Sequence, residues 1–175
     1  MDTLNDYTIQ FSGLKQGTYS FTYHIDNKFF DDFKYDDFQS INCDIDLVLI
    51  KKATLIELHF TAKGVATLVC DLSNEIFDKK LDNQLDMIIK FGSTFNDEED
   101  NLLIIPHSEY QLSIAQYIYE VIVLALPIKR IHPGIAEGTL KSKVLEKLEE
   151  LEIRNHKETD PRWDKLNELL ISKKT

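Results

Sequence analysis

Apolar and polar residues alternate one by one over much of the first hundred residues, a pattern typical of strands with one buried face. Such stretches lie at 7–11, 18–25, 41–49, 56–60 and 85–91. In the third stretch Cys43 falls on the apolar, inward face. Lys63-Gly64 is typical of a hairpin turn, which would return the chain through Val65 to Cys70. This meander-like spacing predicts an antiparallel sheet that is strongly curled or barrel-like.

Two segments interrupt the alternation. Residues 27–33 place aromatic side chains at Phe29, Phe30 and Phe33, a spacing that favours a helical turn over a strand. Residues 96–101 are mostly acidic and repel one another, so we predict a loop there. A short strand over 102–105, ended by Pro106, follows it.

The longest apolar run of the chain predicts a central buried helix over 113–126. Between Ile114 and Leu126 only Gln116 and Glu120 are strongly polar, and they lie one helical turn apart on a thin polar stripe. Pro127 cannot extend this helix, so the helix ends before it. The run is too short to cross a bilayer, which takes about 20 apolar residues, and we expect no membrane partner.

Helical spacing returns near the C-terminus. Apolar residues between Val144 and Ile153 recur at helical intervals among Glu and Lys, which predicts an amphipathic helix. Asp160-Pro161 suits the start of a last helix, with Asp as N-cap and Pro at the first helical position. We therefore predict an α+β fold with a central buried helix and C-terminal helices. Residues 1–135 would form the antiparallel sheet with the helix 113–126, and 136–175 a helical extension of the same domain.

The net charge of -10 is unevenly distributed. Residues 1–125 hold 9 Lys and Arg against 21 Asp and Glu, whereas 126–175 hold 11 against 9. An acidic body argues against broad, non-specific binding to nucleic acid, whose affinity comes mainly from neutralised phosphates. The two cysteines are typical of a reducing compartment, and the chain opens without a basic, apolar leader. We expect a cytoplasmic protein.

No pattern of catalytic residues emerges from the sequence. It contains no phosphate-cradling glycine loop, no nucleophile elbow and no His-Glu-x-x-His. His24 and His59 lie on polar strand faces, where they either meet or simply face solvent. Cys70 and Ser73 have the spacing of the two ligands in one half of a zinc knuckle, but serine stands in place of the second thiol. Zinc needs about four ligands. We expect no metal, no cofactor, no small-molecule substrate and no enzymatic activity. One alternative is that Glu120 acts as a general base with a histidine.

Five residues are candidates for contact with RNA or a partner. Lys129, Arg130 and His132 follow the proline and could bind an anion, or they could compensate the helix dipole and aid solubility. Arg162 and Trp163 could stack on a base, or they could anchor the last helix.

The chain resembles the bacterial YceD family, the large ribosomal RNA subunit accumulation proteins. Residues 9–21, Ile-Gln-Phe-Ser-Gly-Leu-Lys-Gln-Gly-Thr-Tyr-Ser-Phe, with Phe29-Phe30 after them, look like the opening of members from Bacteroidetes-type bacteria. Residues 120–127, Glu-Val-Ile-Val-Leu-Ala-Leu-Pro, with His132 nearby, are similar to the acidic residue, apolar run and Leu-Pro of the family. Residues 160–166, Asp-Pro-Arg-Trp-Asp-Lys-Leu, look like its signature near the C-terminus.

The chain departs from this family pattern in two places. Many relatives have Cys-x-x-Cys where this chain has Cys70 and Ser73, and further cysteines where it has residues 132–138, so a zinc knuckle of that kind is not available here. Gln111-Leu-Ser113 stands where an Asp-Leu pair is common, which changes the helix cap.

The resemblance implies a non-enzymatic role in accumulation or processing of large-subunit (23S) ribosomal RNA. The first hypothesis is an accessory factor in ribosome biogenesis that binds precursor rRNA through the basic segment after Leu126. The alternative is an acidic interaction module. In that case the protein would act as a chaperone and bind a basic ribosomal protein through Asp44, Asp46 and the loop 97–100.

Overall fold

The computed structural model describes residues 6–99, 101–140 and 142–155, without the side chains of Glu149 and 152–155. These residues fall into two compact units. The first lies within Met1–Val69 and Ile76–Arg130, and the second within Cys70–Glu75 and Ile131–Thr175.

Strands make up most of the described regular structure. They are β1 Thr8–Ile9, β2 Gly17–Ile25, β3 Ser40–Lys51, β4 Leu55–Val69, β5 Ile76–Gly92, β6 Asn96–Glu99, β7 Leu102–Pro106 and β8 Leu112–Ser113. The helices are α1 Asn27–Asp31, α2 Ala115–Val123, α3 Pro133–Ala136 and α4 Lys143–Asn155. No helix in the described ranges is long and apolar enough to span a bilayer.

Six strands form one open, mixed sheet in the order β2-β3-β4-β5-β7-β6, and β1 pairs separately with β8. Strands β2 to β5 are an antiparallel meander, as the alternation predicts. However, β7 runs parallel to β5, because the chain first passes through β6 on the far side of β7. The prediction of an α+β fold with an antiparallel, curled or barrel-like sheet was wrong. The sheet is mixed and not closed, strands predominate, and the four described helices are short.

The core lies on one face of this sheet. Residues directly opposite each other in an antiparallel ladder share a face, so Leu47 of β3, Phe60 of β4 and their neighbours form one apolar layer. Helix α2 contacts β4 and β5 and buries Ile118 and Ile122 completely. The Asn83 side chain of β5 donates a 2.9 Å hydrogen bond to the Val121 carbonyl. This bond fixes the helix to the sheet.

The predicted hairpin at Lys63-Gly64 was wrong, because both residues lie inside the fifteen-residue strand β4. Lys63 pairs with Asp44 on one side and Asp82 on the other, so the ladder is continuous there. Gly64 instead allows a close approach of strands: a Cβ at this position would lie 2.5 Å from Cys43 Cα. Glycine inside a strand often marks a site where another backbone approaches closely.

Other local predictions had mixed outcomes. The helical turn after Asp26 is confirmed as α1, where the Asp26 side chain accepts from the Lys28 amide. The strand from Leu102 is confirmed as β7, but the acidic stretch before it forms the edge strand β6 rather than only a loop. Cys43 is fully buried, as predicted.

The amphipathic helix is confirmed as α4, with Val144, Leu148 and Leu151 exposed on it. The last predicted helix, from Asp160, lies outside the described residues.

Candidate functional site

One residue of the predicted cationic segment, Arg130, forms an ion pair within the protein. In the first unit, Lys129 is exposed, whereas Arg130 Nη2 lies 2.9 Å from Asp37 Oδ2 and its side chain is 26% exposed. The same carboxylate is hydrogen-bonded to Tyr35. Burial and then Asp37 raise the pKa of Tyr35 to about 12, with Arg130 opposing them. Arg130 therefore anchors the segment after α2 to the loop after α1.

His132 has a structural role in the second unit. Its Nδ1 accepts a 3.0 Å hydrogen bond from the Gly134 amide and caps the N-terminus of α3. Arg162 and Trp163 lie outside the described residues. Of the three candidates that the structure describes, Lys129 and Arg130 belong to the first unit and His132 to the second.

The half-knuckle at Cys70 holds a buried sulfur in a network of hydrogen bonds. The His132 amide donates to Cys70 Sγ over 3.3 Å. Burial raises the pKa of the Cys70 thiol. Hydrogen bonds from the Ser73 side chain and from backbone amides lower this pKa by a larger amount, so the net shift is downward. Within the described residues, no group of three or more His, Cys, Asp or Glu side chains could hold a metal ion.

The outer face of the large sheet is solvent-exposed and acidic. The ladder register places on it the side chains that alternate with the core residues of β3, β4 and β5. Its carboxylates are Asp44, Asp46, Glu57, Asp78, Asp82 and Asp86, and its lysines are Lys63, Lys80 and Lys90. We call this surface the acidic face. Carboxylates outnumber lysines there by two to one.

Most hydrogen bonds to these carboxylates come from groups other than lysine or arginine. Neighbouring strands supply two imidazole pairs, His24 with Asp44 at 2.8 Å and His59 with Asp86 at 2.7 Å. They also supply two hydroxyl donors: Thr22 to Asp46 at 3.1 Å and Thr67 to Asp78 at 2.8 Å. The two histidines therefore pair with separate aspartates rather than with each other. In the described ranges, only Glu57 of this face forms an ion pair with lysine or arginine, and its partner is Lys52.

A groove of about 390 Å³ lies between α2 and the β6 edge of the sheet. We call it the α2–β6 groove. Leucines, Met87 and Tyr117 form its apolar lining. Its carboxylates are Asp97 and Glu99 from β6 and Glu120 from α2, and no lysine or arginine is among its lining residues. The groove therefore combines an apolar part with a polar part that carries three carboxylates.

Glu120 is held in the wall of the α2–β6 groove. Its Oε1 accepts a 2.8 Å hydrogen bond from Gln116 Nε2, one helical turn earlier. Burial, then Glu120 and Asp97, raise the pKa of Tyr117, whose side chain lines the groove beside these carboxylates. In the described part of the chain, no histidine is among the lining residues of the groove.

Sequence reasoning missed this groove as a unit. It identified the polar stripe of Gln116 and Glu120, and it identified 96–101 as acidic, but it treated the second as an isolated loop. The missing information is the pairing of β6 outside β7, which brings a charged edge strand next to the helix. Only the high density of acids beside a short apolar strand was visible beforehand.

Comparison with known proteins gives the family. No curated protein and no solved structure matches this chain. The family described as "Large ribosomal RNA subunit accumulation protein YceD" matches residues 58–170, most of the chain. The matched region includes two landmarks of the resemblance, 120–127 and 160–166, while the one at 9–21 precedes it. The chain belongs to the YceD family of large ribosomal RNA subunit accumulation proteins.

Proposed function

We propose that this protein supports accumulation of large-subunit ribosomal RNA by binding a basic ribosomal protein on its acidic face, without catalysing a reaction. The family gives the role in large-subunit RNA accumulation. The acidic face is the single observation that favours a protein as the direct partner. Cationic partners are attracted and steered by such a surface, whereas phosphates are repelled by it.

The way the acidic face is built supports this proposal. Asp44, Asp46 and Asp86 lie on adjacent strands of a rigid ladder and accept hydrogen bonds from imidazole or hydroxyl groups. These bonds orient the carboxylates, and neither lysine nor arginine forms an ion pair with these three in the described structure. A set of preoriented anions can exchange water for the ammonium and guanidinium groups of a partner at little ordering cost.

A second candidate function is direct contact with precursor rRNA. Lys129 favours it, because this residue is exposed and is in no ion pair within the described ranges. Ile128 beside it is fully exposed, and the two residues follow directly on the family's Leu-Pro element. Arg130, His132, Arg162 and Trp163 remain part of this candidate surface only as predictions, since Arg130 and His132 already have internal partners.

Capture of large-subunit components from cells tests both functions. The tagged protein would be isolated before and after nuclease treatment, and its partners identified by mass spectrometry and RNA sequencing. We expect basic ribosomal proteins to remain bound after nuclease. The variant D44N/D46N/D86N keeps the acceptor oxygens but removes three charges, so it should lose this partner, whereas Lys129→Ala should retain it.

Two outcomes would contradict the proposal. Loss of all ribosomal proteins upon nuclease treatment, together with loss of RNA in the Lys129→Ala variant, would establish the second candidate instead. Undiminished binding by D44N/D46N/D86N, with its fold verified by circular dichroism, would remove the acidic face from the interaction.

A further inference from the structure

We propose that the α2–β6 groove is the site where a short segment of the basic partner, with alternating cationic and apolar side chains, binds. This inference rests on the proposed function and deepens it. The acidic face gives a broad attraction to a cationic protein, and the α2–β6 groove gives a defined place for one segment of it.

The apolar half of the groove is accessible to a ligand. Leu124, in the turn that ends α2, is 72% exposed at the rim, and no described side chain covers it. Leu85, Met87 and Leu103 form the apolar floor from β5 and β7. Large apolar groups open to solvent next to a concave surface are typical of an interaction site.

The anionic half determines the charge of the occupant. Asp97 and Glu99 lie on the edge strand, and Glu120 faces them from the helix. Tyr117 lies between these walls, where burial, then Glu120 and Asp97, raise its pKa. Gln116 is the donor to Glu120, and a neutral amide leaves the carboxylate charge in place. An ammonium or guanidinium group would compensate it.

The spacing of the carboxylates distinguishes a peptide from a metal ion. In the described part of the chain, no set of three carboxylates is close enough to hold one cation. The charges instead line two walls of a groove, with apolar surface between them. A segment that presents both Lys or Arg and an aliphatic side chain complements this arrangement in charge and in apolar surface.

Binding of a labelled synthetic peptide tests the inference directly. The probe alternates Lys and Leu over eight residues. Two controls keep its length, one with Glu in place of Lys and one with Ser in place of Leu. Affinity would be measured by fluorescence anisotropy at low and at physiological salt. We expect the Lys-Leu peptide to bind at least about tenfold more tightly than either control.

Paired variants of equal charge change locate the site. The groove variant D97N/E120Q should weaken binding at least about tenfold, and more than the acidic-face variant D44N/D46N of equal charge change. The control variant D36N/E109Q removes two exposed carboxylates outside both surfaces and should weaken binding by no more than about twofold. Leu124→Ser should weaken binding without altering charge. Amide shifts in a heteronuclear NMR spectrum should concentrate at Leu103 and Tyr117.

The failures of the two proposals are distinguishable. If D44N/D46N weakens binding and D97N/E120Q does not, the α2–β6 groove is not the site, while the acidic face retains its function. Equal loss in both variants, equal affinity for the Lys-Ser peptide, or no binding of the Lys-Leu peptide would also overturn the groove inference. Capture of ribosomal proteins after nuclease treatment tests the proposed function independently of all these results.

Discussion

Replacement of Gly64 by alanine should damage the centre of the sheet. A Cβ at this position would overlap the Asn42 carbonyl oxygen, and it would lie 2.5 Å from Cys43 Cα and 2.8 Å from Cys43 Cβ. Ordinary contacts begin near 3.4 Å, so β3 and β4 would have to separate by about 1 Å. Two of the three obstructing atoms are backbone, and a change of rotamer cannot move them.

The size of this effect follows from two opposing contributions. Overpacking of a tight site costs about 3 kcal/mol when the backbone must shift. Alanine also restricts the unfolded chain relative to glycine, which returns about 0.4–1 kcal/mol. The net loss in the free energy of unfolding is about 2–3 kcal/mol, which lowers the midpoint temperature by roughly 5–10 °C for a chain of this size.

Gly13→Ala is the matched control, because nothing lies within 4 Å of a Cβ at Gly13. Thermal unfolding followed by circular dichroism would compare the two variants with the parent protein. Gly13→Ala should match the parent within a few degrees, and Gly64→Ala should fall well below it. If the two variants unfold at the same temperature, then β3 and β4 do not approach at Gly64, and the register of this ladder is incorrect.

Three further predictions concern the core and the aromatic residues around it. Phe30→Ala should lower the free energy of unfolding in urea by about 3–5 kcal/mol, because its ring is 1% exposed among other aromatic rings. Asn83→Ala should cost about 1–2 kcal/mol in the same assay, since the Val121 carbonyl loses its side-chain donor. Burial and then Asp37 raise the Tyr35 pKa from 10.0 to about 12, so its stabilising effect is complete below pH 10 and disappears as pH rises towards 12. Tyrosinate absorbance should show a component that titrates near pH 12, and Tyr35→Phe should remove that component.

The alternation of side chains predicted the meander well because it is a local property. Strand β3 shows this clearly: Ile45 and Leu47 are fully buried, and Asp44 and Asp46 between them are exposed. Such a pattern fixes the face of each residue but not the partner of each strand. The pattern therefore could not predict that β7 runs parallel to β5. That pairing depends on the path of β6, whose side chains are nearly all charged.

The candidate site was less predictable than the fold, and for a related reason. Arg130 follows a helix and looked available for an anion, but its partner Asp37 is more than ninety positions earlier in the sequence. His132 also looked available for an anion, but its ring caps a four-residue helix. Local pattern gives the chemistry of a side chain, whereas its availability depends on contacts between distant segments.

The correction from a curled or barrel-like sheet to an open sheet changes what the protein can bind. In a barrel, the first and last strands would pair, and β6 would have no free edge beside α2. In the open sheet, α2 covers the face around β4 and β5, and the groove forms between the helix and β6, beyond the covered strands. The acids of β6 then act in two ways. They discourage pairing of this edge with another strand, and they give the groove its charge. These acids are unfavourable residues for a strand, and they are also the ones that the proposed partner would recognise. Such a conflict between local sequence preference and fold is expected at a functional site.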